Sequence, residues 1–138
     1  TVVDAFVMAP GASVSTAAAG GAVGYVVRDV DMTSTDQNKD LIVVGGGCIN
    51  TVAAKILGSD VPLCGDAATI AANQAVIKAA ANPVATVTGK VALLIAGYEA
   101  ADTTKAATYI LNNKAAVDTT TANIKLDTAQ SVATIATA

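Results

Sequence analysis

LIVVGGG at residues 41–47 and KVALLIAG at residues 90–97 are the two stretches that decide the fold. Apart from Lys90 at the start of the second stretch, each is a continuous run of apolar residues that ends at glycine. Strands buried on both faces show this pattern, because both of their sides contact covering layers. Such strands occur in parallel sheets with helices packed against them. The two runs therefore predict a buried parallel pair of strands in an α/β fold.

Helical segments are expected around these strands. Predicted helices cover residues 49–57, 67–81 and about 101–112. Asn50 or Thr51 is a candidate N-cap for the first helix, and Gly58 would end it. The alanine-rich composition of residues 67–81 favours a helix there, since alanine has the highest helix propensity.

Shorter β-favouring segments flank this centre on both sides. Strands are predicted at residues 2–8, 24–32 and about 124–127, while residues 129–138 form a last strand or a tail. The polar run at residues 33–40 predicts a turn or loop. The whole chain, residues 1–138, is therefore expected to form one α/β domain. It would hold a small sheet with the buried parallel pair and two to three helices, flanked by additional N- and C-terminal strands.

The composition argues against several classes of function. Charged residues make up 14% of the chain and its net charge is -3, so the chain has no surplus of basic residues to neutralise the phosphates of a nucleic acid. Histidine is absent, which removes the commonest general base and metal ligand. We therefore expect neither an enzyme nor a cofactor. A weakly charged surface of small residues suits contact with copies of the same chain.

Cys48 and Cys64 are the two cysteines of the chain. Without histidine they cannot complete a zinc site, so a disulfide is the favoured interpretation. A disulfide would indicate an oxidising, extracellular setting. The alternative is that both are small buried apolar residues in a cytosolic protein.

Two sequence features suggest chemistry. The turn Gly45–Gly47 lies between a strand and a helix, where phosphate binds in some folds, but neither the dinucleotide pattern nor the P-loop pattern is complete. Glu99 and Asp102 follow the second buried strand, where α/β enzymes place catalytic groups. A turn with a helix cap explains these two carboxylates more simply.

Asp29, Asp31 and Asp40 have a spacing similar to that of a calcium-binding loop. The glycine required at the sixth position is replaced by Ser34, and no flanking helices are predicted. A solvated turn therefore explains the pattern better, and a weak divalent-ion site, for example between subunits, is the alternative.

The two ends of the chain are candidates for contact between subunits. The residues singled out for assembly are Val2, Val3, Phe6, Val7, Val132 and Ile135. They lie in weakly charged β-favouring segments, which can add as strands to an open sheet edge of a neighbour. We expect that deleting residues 1–10 leaves a folded subunit that cannot polymerise.

No membrane span is expected, although the uncharged stretch Ala5–Val27 is long enough for one. Pro10 and four glycines interrupt this stretch, so a strand, a loop and a second strand are predicted there. The threonine run Thr119–Thr121 and other Thr and Ser hydroxyls are candidate sites for O-linked glycans if the protein is secreted.

Residues 40–58, DLIVVGGGCINTVAAKILG, the pair Cys64-Gly65, and residues 89–111, GKVALLIAGYEAADTTKAATYIL, resemble the archaeal S-layer protein family. The family shows a similar LIVVGGPC run, a second Cys-Gly, and a segment similar to VALLIAGYEAADTTKAATYIL in the same order. Gly47 stands where the family often has proline. The resemblance implies an extracellular structural protein that self-assembles without catalysis, and it supports pairing Cys48 with Cys64.

The sequence thus favours a self-assembling subunit of an extracellular surface layer or filament, with the chain itself as partner. The first alternative is a cell-surface adhesin or binding module that acts as a monomer or small oligomer. The second alternative is a small nucleotide-binding α/β domain that uses the turn Gly45–Gly47.

Overall fold

The computed structural model describes residues 5–8 and 25–136, and the side chains of residues 26–136. The strands of this part are β1 (Ala5–Met8), β2 (Tyr25–Arg28), β3 (Leu41–Val44), β4 (Gln74–Ala81), β5 (Val91–Gly97), β6 (Asn123–Asp127) and β7 (Thr134–Ile135). Its α-helices are α1 (Ser34–Gln37), α2 (Thr51–Ile56) and α3 (Ala100–Asn112).

The described strands form a seven-stranded sheet in the order β2-β1-β3-β5-β4-β6-β7. β1, β2, β3 and β5 run parallel, and β3 pairs with β5 from Leu41 opposite Ala92 to Val44 opposite Ile95. The remaining pairs are antiparallel: β4 pairs with β5, β6 pairs with β4, and β7 pairs with β6. The predicted α/β class and the parallel pair are therefore confirmed.

The core lies on both faces of the sheet. On one face, Leu41 and Val43 of β3 pack with Leu94 of β5 and with the buried residues of α2. On the other face, Leu93 and Ile95 of β5 pack with β4, β6 and Ala106 of α3. Because alternate side chains of a strand point to opposite faces, two covering layers require an unbroken apolar run in β5.

The predicted helix after β3 is present as α2, and of the two candidate caps, Asn50 and Thr51, Asn50 is the one that caps it. The Asn50 side chain is buried, and its Oδ1 accepts hydrogen bonds from the backbone N–H groups of Val52 and Ala53, both at 3.0 Å. Its Nδ2 donates to the Val44 carbonyl at 3.3 Å, which ties the helix start to the end of β3. Gly58, just after the helix, has a φ of 93°, a conformation that glycine adopts without steric cost.

Gly97 lets α3 approach the end of β5 closely. A Cβ atom at this position would overlap the backbone nitrogen of Thr103 and the side chain of Asp102. The Gly97 N–H also donates to the Thr103 hydroxyl at 2.9 Å. Glycine is therefore required where the buried strand passes into the helix that covers its second face.

The helix predicted for residues 67–81 is wrong, since residues 74–81 form β4. Ala75 and Ile77 are fully buried, and β4 pairs with β5 on one side and with β6 on the other. These pairings outweigh the helix propensity of alanine, which is worth only a few tenths of a kcal/mol to about 1 kcal/mol per residue. Residues 59–73 before the strand are irregular, apart from a 3₁₀ turn at Gly65–Ala67.

The region predicted as one strand and a loop between residues 24 and 40 is more structured than expected. The strand ends at Arg28, and the predicted loop contains α1. Thr33 and Asp36 form a capping box at the start of this helix, in which the Asp36 carboxylate accepts the Thr33 hydroxyl and backbone N–H. These hydrogen bonds from Thr33 lower the pKa of the buried Asp36 carboxyl.

Replacing Asn50 by alanine is expected to lower the free energy of unfolding by about 2 kcal/mol, because two buried backbone donors lose their acceptor. Denaturant titration of the purified variant measures this change. The Asn113→Ala variant is the control, since Asn113 is exposed and its side chain donates only to the Tyr109 carbonyl. Equal stability of the two variants would contradict the role assigned to Asn50.

Candidate functional site

A disulfide joins Cys48 and Cys64 and confirms the favoured interpretation of the cysteines. Cys48 follows the glycine turn after β3, and Cys64 lies in the irregular loop after α2. Their Cα atoms are 4.7 Å apart, and the Leu63 N–H donates to the Gly47 carbonyl at 3.0 Å beside the bond. The bond therefore holds a loop with little secondary structure against the carboxyl end of the central strand pair.

An apolar cleft opens at the same end of the sheet. Its volume is about 530 Å³, and it lies between the turn after β3 and the start of α3. Ile49 and Tyr98 at its rim are about half exposed. The sequence analysis did not identify these two residues as part of a surface cleft, although Tyr98 directly follows β5 and Ile49 follows the glycine turn after β3.

Hydrogen bonds within the chain occupy part of the turn Gly45–Gly47. The Gly45 N–H donates to the Ile95 carbonyl, and the Ile49 and Asn50 N–H groups donate to the Gly46 carbonyl. The Gly45 N–H and the Gly46 carbonyl are therefore already engaged within the chain. The shape of the turn follows from the need to connect β3 tightly to α2.

The N-terminus of α2 is also occupied by groups of the chain. The Asp29 carboxylate accepts the backbone N–H and the hydroxyl of Thr51, at 2.7 and 2.8 Å, and Asn50 accepts the next two N–H groups. A phosphate would have to displace a carboxylate of like charge to reach these donors. The geometry therefore gives the nucleotide-binding alternative no support.

Asp29, Asp31 and Asp40 do not come together as the calcium-like spacing suggested. Asp29 caps α2, Asp31 forms an exposed ion pair with Arg28 at 2.6 Å, and Asp40 accepts the Val91 N–H at 3.0 Å. Asp29 follows the carboxyl end of β2, whereas Asp40 precedes the amino end of β3, so the parallel strands separate them. Within residues 5–8 and 25–136, no cluster of three His, Cys, Asp or Glu residues has the geometry to hold a metal ion.

Asp102 is a structural cap in this fold. Its Oδ2 accepts the Glu99 N–H at 3.0 Å, and its Oδ1 accepts the Thr128 hydroxyl at 2.6 Å. Both Asp102 and Thr128 are buried, so this pair ties the start of α3 to the segment after β6. The simpler explanation of this carboxylate, a helix cap, is therefore the one that the contacts support.

The predicted assembly residues fall into three groups. Val2 and Val3 lie outside the described residues. Phe6 and Val7 lie in β1, which pairs with β2 on one side and with β3 on the other within the same chain, and their role in assembly stays a prediction. Because β1 is an interior strand, deleting residues 1–10 would remove part of the sheet.

Val132 and Ile135 lie at the β7 edge of the sheet, and 69% and 62% of their surface, respectively, is exposed. Ile135 belongs to β7, the last strand in the sheet order, and Val132 lies in the segment leading to it. Along residues 128–138 the sequence has no charged residue. Among the described residues, this edge combines a strand that is paired on one side only with exposed apolar side chains.

No family model matches the sequence. Searches of curated proteins and of solved structures likewise find no match. Among the helices formed by the described residues, none has the length and apolar character needed to cross a bilayer. The disulfide is compatible with a secreted protein, since such bonds persist in oxidising compartments.

Removing the disulfide in a Cys48→Ala, Cys64→Ala variant is expected to lower the free energy of unfolding by about 3 kcal/mol, because the loop regains entropy in the unfolded chain. Denaturant titration with and without reductant measures the effect. The reductant should destabilise the wild-type protein and leave the double variant unchanged. A wild-type protein equally stable in both conditions would contradict this account.

Proposed function

We propose that the chain is a non-catalytic structural subunit that self-assembles into an extracellular surface layer or filament. The observation that carries this proposal is the uncharged sheet edge formed by β7, with exposed Val132 and Ile135. We call residues Val132–Ala136 the C-terminal edge segment. Its partner is a second copy of the chain.

An edge of this kind favours association. Sheet proteins commonly protect an exposed edge with lysine, proline or a covering loop, because its unpaired backbone groups can bind another strand. The C-terminal edge segment has neither lysine nor proline. Burying one exposed valine or isoleucine side chain contributes about 1.5–3 kcal/mol, so Val132 and Ile135 together supply a substantial driving force.

The low surface charge also favours association of subunits. The chain carries 8 basic and 11 acidic residues among 138. Like-charge repulsion between copies is therefore weak, whereas a high net charge would keep subunits apart. Further exposed apolar side chains, Val30, Ile49, Val61, Val87, Tyr98 and Leu111, lie on other parts of the surface.

The extracellular location rests on the disulfide and on the resemblance to archaeal S-layer proteins. Cys48 and Cys64 are both exposed, so a reducing compartment would have access to the bond. Thr119–Thr121 form an exposed turn after α3, where the Asp118 carboxylate accepts the Thr120 hydroxyl at 2.6 Å. The hydroxyls of Thr119 and Thr121 are the candidate glycan acceptors in this turn.

A cell-surface adhesin is the second candidate function, and the cleft beside Ile49 and Tyr98 is the observation that favours it. An adhesin would use this concave apolar surface for a specific ligand and remain a monomer or small oligomer. The two functions therefore differ in the size of the particles that the purified protein forms.

A Val132→Lys, Ile135→Lys double variant is expected to remain monomeric under conditions in which the wild-type protein polymerises, because two charges must be desolvated at the contact. Sedimentation velocity measures the difference, and circular dichroism verifies folding. The matched control is Val61→Lys, Leu111→Lys, which adds the same charge at two equally exposed apolar positions away from the C-terminal edge segment.

The proposal predicts that the control variant polymerises like the wild-type protein. Polymers of the Val132→Lys, Ile135→Lys variant with the wild-type size distribution would contradict a role for this edge. A wild-type protein that stays monomeric at every concentration would refute self-assembly and favour the adhesin.

A further inference from the structure

The two edge strands of the sheet run in opposite directions. β2 is parallel to β1, β3 and β5, whereas β4 is antiparallel to β5, β6 is antiparallel to β4, and β7 is antiparallel to β6. These steps make β7 antiparallel to β2. Among the described residues, no strand pairs with the outer side of either edge.

This polarity determines what happens when a second copy lies beside the first in the same orientation. The β2 strand of the second copy then faces β7 of the first copy, and the two strands are antiparallel. Antiparallel pairs form the more stable type of ladder, and the same contact can repeat without closing. A single type of contact therefore suffices for unlimited growth.

We propose that subunits join head to tail, with β7 of one copy pairing antiparallel with β2 of the next, so that one sheet continues through the polymer. This inference rests on the proposed function and specifies which surfaces meet. β2 offers four extended residues, Tyr25–Arg28, as a template, twice the length of β7.

The backbone of β7 has groups available for such a ladder. The Ala136 N–H donates to the Lys125 carbonyl at 2.9 Å, and Ile135 lies opposite Leu126. In an antiparallel pair, hydrogen-bonded and non-hydrogen-bonded positions alternate. The N–H and carbonyl of Ile135 therefore point away from β6, towards the next copy.

The side chains at the two edges are compatible with this pairing. The β7 edge is uncharged along residues 128–138, so no charge faces a like charge on β2. At the end of β2, Arg28 is already paired with Asp31. The contact therefore needs no uncompensated charge to be buried.

Two variants, each blocked at one edge, test the pairing. Ile135→Pro removes the outward N–H of β7 while leaving the hydrogen bond of Ala136 to β6 in place, since proline is tolerated on edge strands. Val26→Lys places a charge at a half-buried position of β2, a known means of blocking an edge. The matched controls are Ile135→Val and Val26→Ile, which keep both edges apolar.

Each blocked variant alone is expected to stay monomeric, because every contact needs one β2 and one β7. Their equimolar mixture should form heterodimers and nothing larger, since only one functional edge of each kind remains. Native mass spectrometry of isotopically distinguished variants identifies the heterodimer, and sedimentation velocity excludes larger species. Both controls should polymerise like the wild-type protein.

Homodimers of either blocked variant would overturn the inference in favour of symmetric β2–β2 or β7–β7 contacts. A mixture that stays monomeric while the wild-type protein polymerises would show that other surfaces meet, the apolar cleft among them. A wild-type protein that does not polymerise refutes the proposed function itself. Should Ile135→Pro fail to fold by circular dichroism, Ile135→Lys takes its place with the same expected outcomes.

Discussion

Burial of β3 and β5 on both faces is the constraint on which the rest of the structure depends. Leu94 faces α2, and its neighbours Leu93 and Ile95 face the layer that contains α3, so each strand must be apolar throughout. Both helices must then begin close to the ends of these strands. The side chain of Asn50 meets this requirement for α2, and Gly97 meets it for α3, where a side chain would collide with the helix.

Helix-capping hydrogen bonds and the disulfide therefore lie together at the carboxyl end of the sheet. Asp29, Asn50 and Asp102 all use their side chains to cap helices, and the disulfide fastens the loop after α2 to the same place. These three side chains occupy positions that many α/β enzymes use for chemistry, and here their hydrogen bonds stabilise the starts of the helices. The β7 edge combines backbone groups without a partner strand with the exposed side chains of Val132 and Ile135, which is why the proposal places the interaction there.

The sequence predicted the elements whose signals are local. The apolar runs of β3 and β5 and the glycine after α2 could be predicted from the sequence, and the cap of α2 could be narrowed to Asn50 or Thr51. The strand at residues 74–81 was not, because its alanines favour a helix and only pairing with β5 and β6 makes it a strand. The separation of Asp29 from Asp40 and the interior position of β1 depend on strand order, which no single segment encodes. The uncharged C-terminal stretch was visible in the sequence, whereas its direction relative to β2 follows only from the topology.

Electron cryomicroscopy of the assembled wild-type protein, prepared at neutral pH without reductant, tests the central claim most directly. The account predicts regular filaments or sheets of 13.5 kDa repeats, in which the backbone of Thr134–Ile135 pairs antiparallel with Tyr25–Arg28 of the neighbouring copy. Dispersed monomers, or polymers in which both sheet edges face solvent, would contradict it.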